Sequence, residues 1–190
     1  FSIMLASIFL PFLPLIPIQM LLQDFIYDFS QLGIPDDNVD TEFLLAPKKW
    51  NVKSISRFMI IMGLTSSVID ALSFLLFLFI FKYNNVSMAP YFQTAWFVTC
   101  LITELSIIFN IRTSKVPFTE SNASPKLYVL TIFSMILTII TPILLSKIES
   151  FDFVILPASF YICLVALVLL YFLLVLLIKK LYIKKYGEWL

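Results

Sequence analysis

Apolar residues in this chain fall in long blocks separated by short polar punctuation. An initial apolar piece covers residues 1–12, and blocks at 13–34, 58–81, 91–111, 127–146 and 158–178 are each near the ~20 residues an α-helix needs to cross a bilayer. The pattern predicts an all-α fold, a polytopic transmembrane helix bundle of five full spans preceded by the end of another helix. Residues 1–12 are too short to cross alone, and Pro11, Pro14 and Pro17 are expected to turn the chain over a brief, uncharged connection.

Basic residues orient the array. Lys48, Lys49, Lys53 and Arg57 sit in the connection before the second full span, and Lys82 stands alone in the next. Arg112, Lys115 and Lys126 follow, then Lys147, then Lys179, Lys180, Lys184 and Lys185. The resulting alternation places the loops 35–57 and 112–126 and the C-terminal tail in the cytoplasm of a multi-pass cell-membrane protein. The first of these loops changes sign, acidic at Asp36, Asp37, Asp40 and Glu42 and basic after Pro47. It reads either as a solvated loop or as a docking surface for a cytoplasmic domain. The tail, KKLYIKKYGEWL, has the basic and aromatic pattern of a segment at the lipid headgroups, either a plain anchor or a lipid site.

Composition agrees with the bilayer as solvent. The chain of 190 residues is 61% hydrophobic and 13% charged, with 3 Gly, no His and a net charge of +1. No basic nucleic-acid surface and no histidine-based site are available. Cys100 and Cys163 lie inside apolar spans, where a thiol behaves as a small hydrophobe. The opening Phe1 lacks a charged leader, which points to truncation of a longer chain rather than a secretory signal. Neither a phosphate-binding glycine loop, nor an aspartyl-phosphate motif, nor a nucleophile paired with histidine is found in the sequence.

Chemistry concentrates on a few polar residues within the apolar blocks. Asp24 and Asp28 are separated by i,i+4, so both project from one helix face, with Gln31 one turn further on. A carboxylate near the bilayer centre costs roughly 2.5–3.5 kcal/mol on insertion scales, so the pair calls for a compensating cation or proton. One aspartate held protonated between helices is the structural alternative. Oxygen ligands suit Mg²⁺, held by one or two carboxylates with several waters, or Ca²⁺ with six to eight oxygens. Carbonyls freed near Pro14 and Pro17 would add ligands. Glu104 lies near mid-membrane in the third span, with Asn110 six residues on, and reads as a site residue. Asp70 reads either as an additional ligand or as a neutral aspartate hydrogen-bonded to Ser66 and Ser73. Gln23 and Tyr27 are placed to donate to the neighbouring carboxylates, or simply to pack.

The stretches SIMLASIFLPFLPLIPIQMLLQDFIYDFSQLGIP, EFLLAPKKW, SISRFM, TAWFVTCLITE, FNIRTSKVPF and YIKKYGEWL, in this order, resemble the C-terminal membrane half of P-type cation-transporting ATPases. Within these they are most similar to the magnesium-translocating group, and IRTSKVPF and YDFSQL are the most specific matches. The resemblance implies the end of the fifth and all of the sixth to tenth helices. Its partners would be membrane lipid, the missing N-terminal helices and cytoplasmic ATPase domains, and a transported cation. It also implies Mg as the transported ion, with ATP and Mg used in the absent domains. Asp24 and Asp28 match coordinating positions of the sixth helix, and Glu104 one of the eighth. The magnesium-type members commonly carry Asn and Gln where Asp24 and Glu104 stand, while calcium pumps carry Glu at the latter. A calcium, proton or other cation pump is the alternative, and a channel or secondary transporter, or a structural membrane subunit, are readings from other classes.

Overall fold

The computed structural model describes residues 2–40, 51–187 and 189. Glu42, Pro47, Lys48 and Lys49 of the sign-changing loop lie outside the described residues. The helices are α1 (Ser2–Phe9), α2 (Pro17–Gln31), α3 (Val52–Leu75), α4 (Ala89–Ile111), α5 (Pro125–Leu145) and α6 (Ala158–Tyr186). Among the described residues there is no strand beyond an isolated bridge between Pro117 and Ser121. α3 continues through a wider π turn at Leu76–Ile80.

Among the described residues, four helical stretches are long and apolar enough to cross a membrane: Val52–Ile80, Val86–Ile111, Pro125–Leu145 and Ala158–Tyr186. The expected fifth, at 13–34, forms only a 15-residue helix, roughly 22 Å long at 1.5 Å per residue. Proline sets that limit. Pro17 occupies the first turn of α2, where its missing N–H costs nothing, while Pro11, Pro14 and Pro17 keep the residues before them out of helical geometry. The freed carbonyls expected there are already partnered. Gln93 Nε2 donates to the Leu13 carbonyl at 2.8 Å, and the Ile16 carbonyl accepts from the backbone of Gln19 and Met20.

α4 is the hub. Its most apolar stretch is 83% buried, against 22–33% for the other three spans, because α2, α3, α5 and α6 all pack on it. Large side chains fill those contacts: Phe74 stacks on Trp96 at 4.3 Å between ring centroids, and Phe77 meets Phe92 edge-on at 5.5 Å. Two hydroxyls on the buried helix are satisfied locally, Thr103 and Ser106 donating to carbonyls one turn back.

At one end of the bundle, Gln19 Nε2 donates to the Phe151 carbonyl at 2.8 Å, tying α2 to the connection before α6. At the other end an electrostatic clasp joins the segment after α2 to the loop after α4. Arg112 pairs with Asp37 at 2.5 Å, with both side chains largely buried, and donates to the Asn38 carbonyl. Asp40 accepts from the hydroxyls of Thr113 and Ser121, and Lys126 pairs with Asp36 at the surface. Lys179 of α6 closes the clasp by donating to the carbonyls of Thr113 and Lys115 at 2.9 and 3.0 Å.

The tail folds back on the protein. Trp189 is buried, donates to the Ile111 carbonyl at 3.0 Å and meets Phe58 at 4.8 Å. Arg57 lies over the Tyr186 ring at 3.9 Å. Lys180, Lys184 and Lys185 are exposed, so the tail's aromatic residues serve the bundle while these lysines face outward.

Two predictions follow from this packing. A Cβ built on Gly33 would stand 2.8 Å from Leu127 Cα, whereas one on Gly63 would meet nothing within 4 Å. Gly33→Ala should therefore destabilise the protein by about 1–3 kcal/mol through overpacking of α2 against α5. Gly63→Ala should be neutral or mildly stabilising, and thermal unfolding in detergent compares the two.

The second concerns Asp40. Burial pushes its carboxyl up, but the hydrogen bonds from Ser121 and Thr113 and the charges of Lys115 and Arg112 prevail and hold it below its ordinary value. A depressed carboxyl stabilises the clasp at neutral pH and loses that contribution as pH falls below the ordinary carboxylate range through the folded-state value. Hydrogen exchange of residues 113–121 should accelerate in that acid window. In Asp40→Asn it should already be faster at neutral pH, by an opening free energy on the order of 1 kcal/mol for a partly solvated group.

Candidate functional site

α2 presents its acidic face where the bundle is open. Asp24 and Asp28 are both exposed, while Ile26 and Ser30 of the same helix are buried against the bundle. The i,i+4 spacing keeps the carboxylates on one side. Between that side and α4 runs a polar seam. Gln23 Nε2 donates to Cys100 Sγ at 3.4 Å, and the Cys100 thiol donates to Glu104 Oε1 at 3.3 Å. Gln23 Oε1 is buried without a hydrogen-bond partner, an acceptor oxygen left available inside the seam.

Glu104 is the meeting point of charge. Asp24 of α2 and Asp70 of α3 both act on it electrostatically. Tyr27 feels the carboxylates of Glu104 and Asp28. α6 contributes Tyr171, which lies within electrostatic reach of Asp70, Glu104 and Cys100. Asp70 also borders an apolar groove of about 540 Å³ between α1 and α3, walled by Phe9, Leu10, Phe74 and Leu78.

Several expectations change. The set Asp24, Asp28 and Glu104 does not close around a point: among the described residues no three Cys, Asp or Glu side chains converge tightly enough to hold a metal ion. Asp28 lies one turn along α2 from Asp24, and both carboxylates are exposed. Asn110 is not in the seam. It is fully buried and donates to the Phe172 carbonyl of α6 at 3.3 Å, a helix–helix contact two turns from Glu104. Ser73 donates to the Ile69 carbonyl. Gln31 donates to Ser30 Oγ at 3.2 Å at the end of α2.

Cys100 and Tyr171 escaped the sequence reading. Cys100 was classed as a small hydrophobe, although its i,i+4 relation to Glu104 was a signal that it shares the acid's face. Tyr171 comes from a helix some 70 positions away in sequence from Glu104, and only tertiary packing brings it in.

Four apolar helices long enough to cross a membrane, packed around one buried hub among the described residues, define a class: a polytopic membrane protein. Sequence comparison makes it specific. The model of the family described as "Cation transporting ATPase, C-terminus" matches residues 12–181. The chain is 40% identical over 190 residues to the "Magnesium-transporting ATPase, P-type 1" of Salmonella typhimurium strain LT2, covering 100% of this chain and 21% of that protein. It is 41% identical over 188 residues to the protein of the same description from Escherichia coli strain K12, covering 98% of this chain and 21% of that protein. This chain belongs to the C-terminal family of the cation-transporting ATPases. It spans about a fifth of the length of the curated relatives it matches.

Proposed function

We propose that this chain forms the cation pathway of an ATP-driven P-type pump and that Mg²⁺ is its transported substrate. The observation that carries the reading is the seam in which Gln23 and Asp24 of α2 face Glu104 of α4, with Gln23 Oε1 buried and unpartnered. Its relatives are described as magnesium-transporting, which supports the choice of ion. Asp24, Asp28 and Glu104 are the proposed ligands. Gln23 would add its free amide oxygen, Tyr27 would orient the carboxylates, and Asp70 would adjust the charge at Glu104 from behind. Asp24 and Asp28 are exposed, and an exposed carboxylate pair in hydrocarbon is costly. The remainder of the full-length protein, with its own helices and the nucleotide-binding and phosphorylation domains, would cover that face.

The mechanism follows from the geometry. Mg²⁺ dehydrates reluctantly and is served by one or two carboxylates with retained water, which suits an open pair on one helix face. Phosphorylation outside this chain would shift the population of two helix arrangements, one with α2 close to α4 and one with it displaced. Closeness sets how many oxygens reach the ion, and hence its affinity on each side. The lysine and arginine asymmetry supports a cytoplasmic location for the clasp and the tail. A second reading, Ca²⁺ as substrate, is favoured by Glu104, since a further carboxylate helps complete a drier and larger shell.

In the full-length protein Asp28→Asn preserves shape and hydrogen bonding while removing charge. It should insert and express normally yet lose cation-stimulated turnover by about tenfold or more, about 1.4 kcal/mol or more of barrier. Asp70→Asn should cost less. Wild-type cation-stimulated ATPase activity and ion affinity in Asp28→Asn would refute the coordination scheme. Loss of stimulation by Ca²⁺ but not by Mg²⁺ in Glu104→Gln would transfer the assignment to the second reading.

A further inference from the structure

Cys100 is the one side chain that links the amide of Gln23 to the carboxyl of Glu104 through its own atoms, accepting at 3.4 Å and donating at 3.3 Å. Both neighbours belong to the proposed pathway, and they stand on different helices. Resting on that reading of the site, we propose that Cys100 is a positioning residue that sets cation affinity by holding Glu104 in the rotamer facing α2.

The physical case has three parts. A glutamate has three rotatable bonds, and one on a helix packed this tightly has room for several rotamers only if nothing fixes it. The Cys100 thiol lies one turn back on the same face and restrains one carboxylate oxygen, leaving the other for an ion. The thiol is a weak donor, so it orients the carboxylate with little competition for its negative charge. A hydroxyl donates more strongly in the same position, whereas a methyl group donates nothing.

The Gln23 contact adds a second constraint. With its amide nitrogen engaged by the sulfur, Gln23 Oε1 is the end left over, and this oxygen has no hydrogen-bond partner. Loss of the sulfur would let the amide rotate and offer its nitrogen to the ion instead. Cys100 thus orders two oxygens that a cation could use, one on α2 and one on α4, without touching the cation. The other cysteine, Cys163 of α6, is outside these contacts and provides a comparison.

The test uses the full-length protein and Mg²⁺-stimulated ATPase activity, comparing Cys100→Ala, Cys100→Ser, Glu104→Gln and the double variant Cys100→Ala/Glu104→Gln. Cys100→Ala should raise the half-saturating Mg²⁺ concentration about three- to tenfold while turnover at saturating Mg²⁺ falls much less. Cys100→Ser should recover most of the lost affinity, and the effect of Cys100→Ala should disappear when Glu104→Gln is already present. Cys163→Ala should leave the half-saturating concentration unchanged.

An unchanged half-saturating concentration in Cys100→Ala would overturn the proposal. So would equal impairment in the Ala and Ser variants, which is the signature of altered packing, or a Cys100→Ala effect that persists beside Glu104→Gln. If Glu104→Gln weakens Mg²⁺ activation while Cys100→Ala does not, only the positioning role fails. If Glu104→Gln itself leaves Mg²⁺ activation intact, the place of Glu104 in the pathway fails, and the role of Cys100 with it.

Discussion

Carboxylates inside a bundle that lives in hydrocarbon impose the constraint on which the rest of this structure depends. Each one costs several kcal/mol unless it is neutralised, hydrogen-bonded or paired. Asp24, Asp70 and Glu104 come from three helices, and the first two act electrostatically on the third. The fold brings like charges together instead of dispersing them, which is poor chemistry for stability alone and suitable chemistry for holding a cation.

Holding such a cluster requires a rigid frame, and the bundle supplies it at both ends. Gln93 uses its side-chain amide to capture the Leu13 carbonyl at the proline-rich entry to α2, and Gln19 ties α2 to the Phe151 carbonyl before α6. At the opposite end Arg112, Asp37, Asp40 and Lys179 bind the segment after α2 to the loop after α4 and to α6. α2 is thereby fixed at its two ends, while its middle, which carries Asp24 and Asp28, faces outward. Such an arrangement allows the acidic face to respond to a neighbouring element while its ends keep register with the hub.

Much of this was legible in the sequence, for physical reasons that also explain the rest. Long apolar blocks report solvent and element type directly, so the spans that became α3, α4, α5 and α6 were foreseen in position, with α3 starting six residues earlier and α6 running eight further. The helix in the 13–34 block is shorter than the block because hydropathy does not register the backbone limits that Pro14 and Pro17 impose. Asp24 and Asp28 stood out because charge in an apolar block is costly. The contact that Asn110 makes with the Phe172 carbonyl was not legible, since its partner is a backbone group with no sequence signature. The Gln23–Cys100–Glu104 seam and the tail's return onto Phe58 are tertiary contacts, which hydrophobic pattern alone does not encode.

The central claim is that a cation is held between α2 and α4. The most direct measurement is a high-resolution structure of the full-length protein in saturating Mn²⁺, with Mn²⁺ as a heavier stand-in for Mg²⁺ and its position assigned by anomalous scattering. The account predicts a peak within about 2–2.5 Å of carboxylate oxygens on the Asp24–Asp28 face, with Glu104 or Gln23 among its neighbours, directly or through one water. A peak confined to sites away from α2, with Asp28 and Glu104 contacting only protein groups, would contradict it.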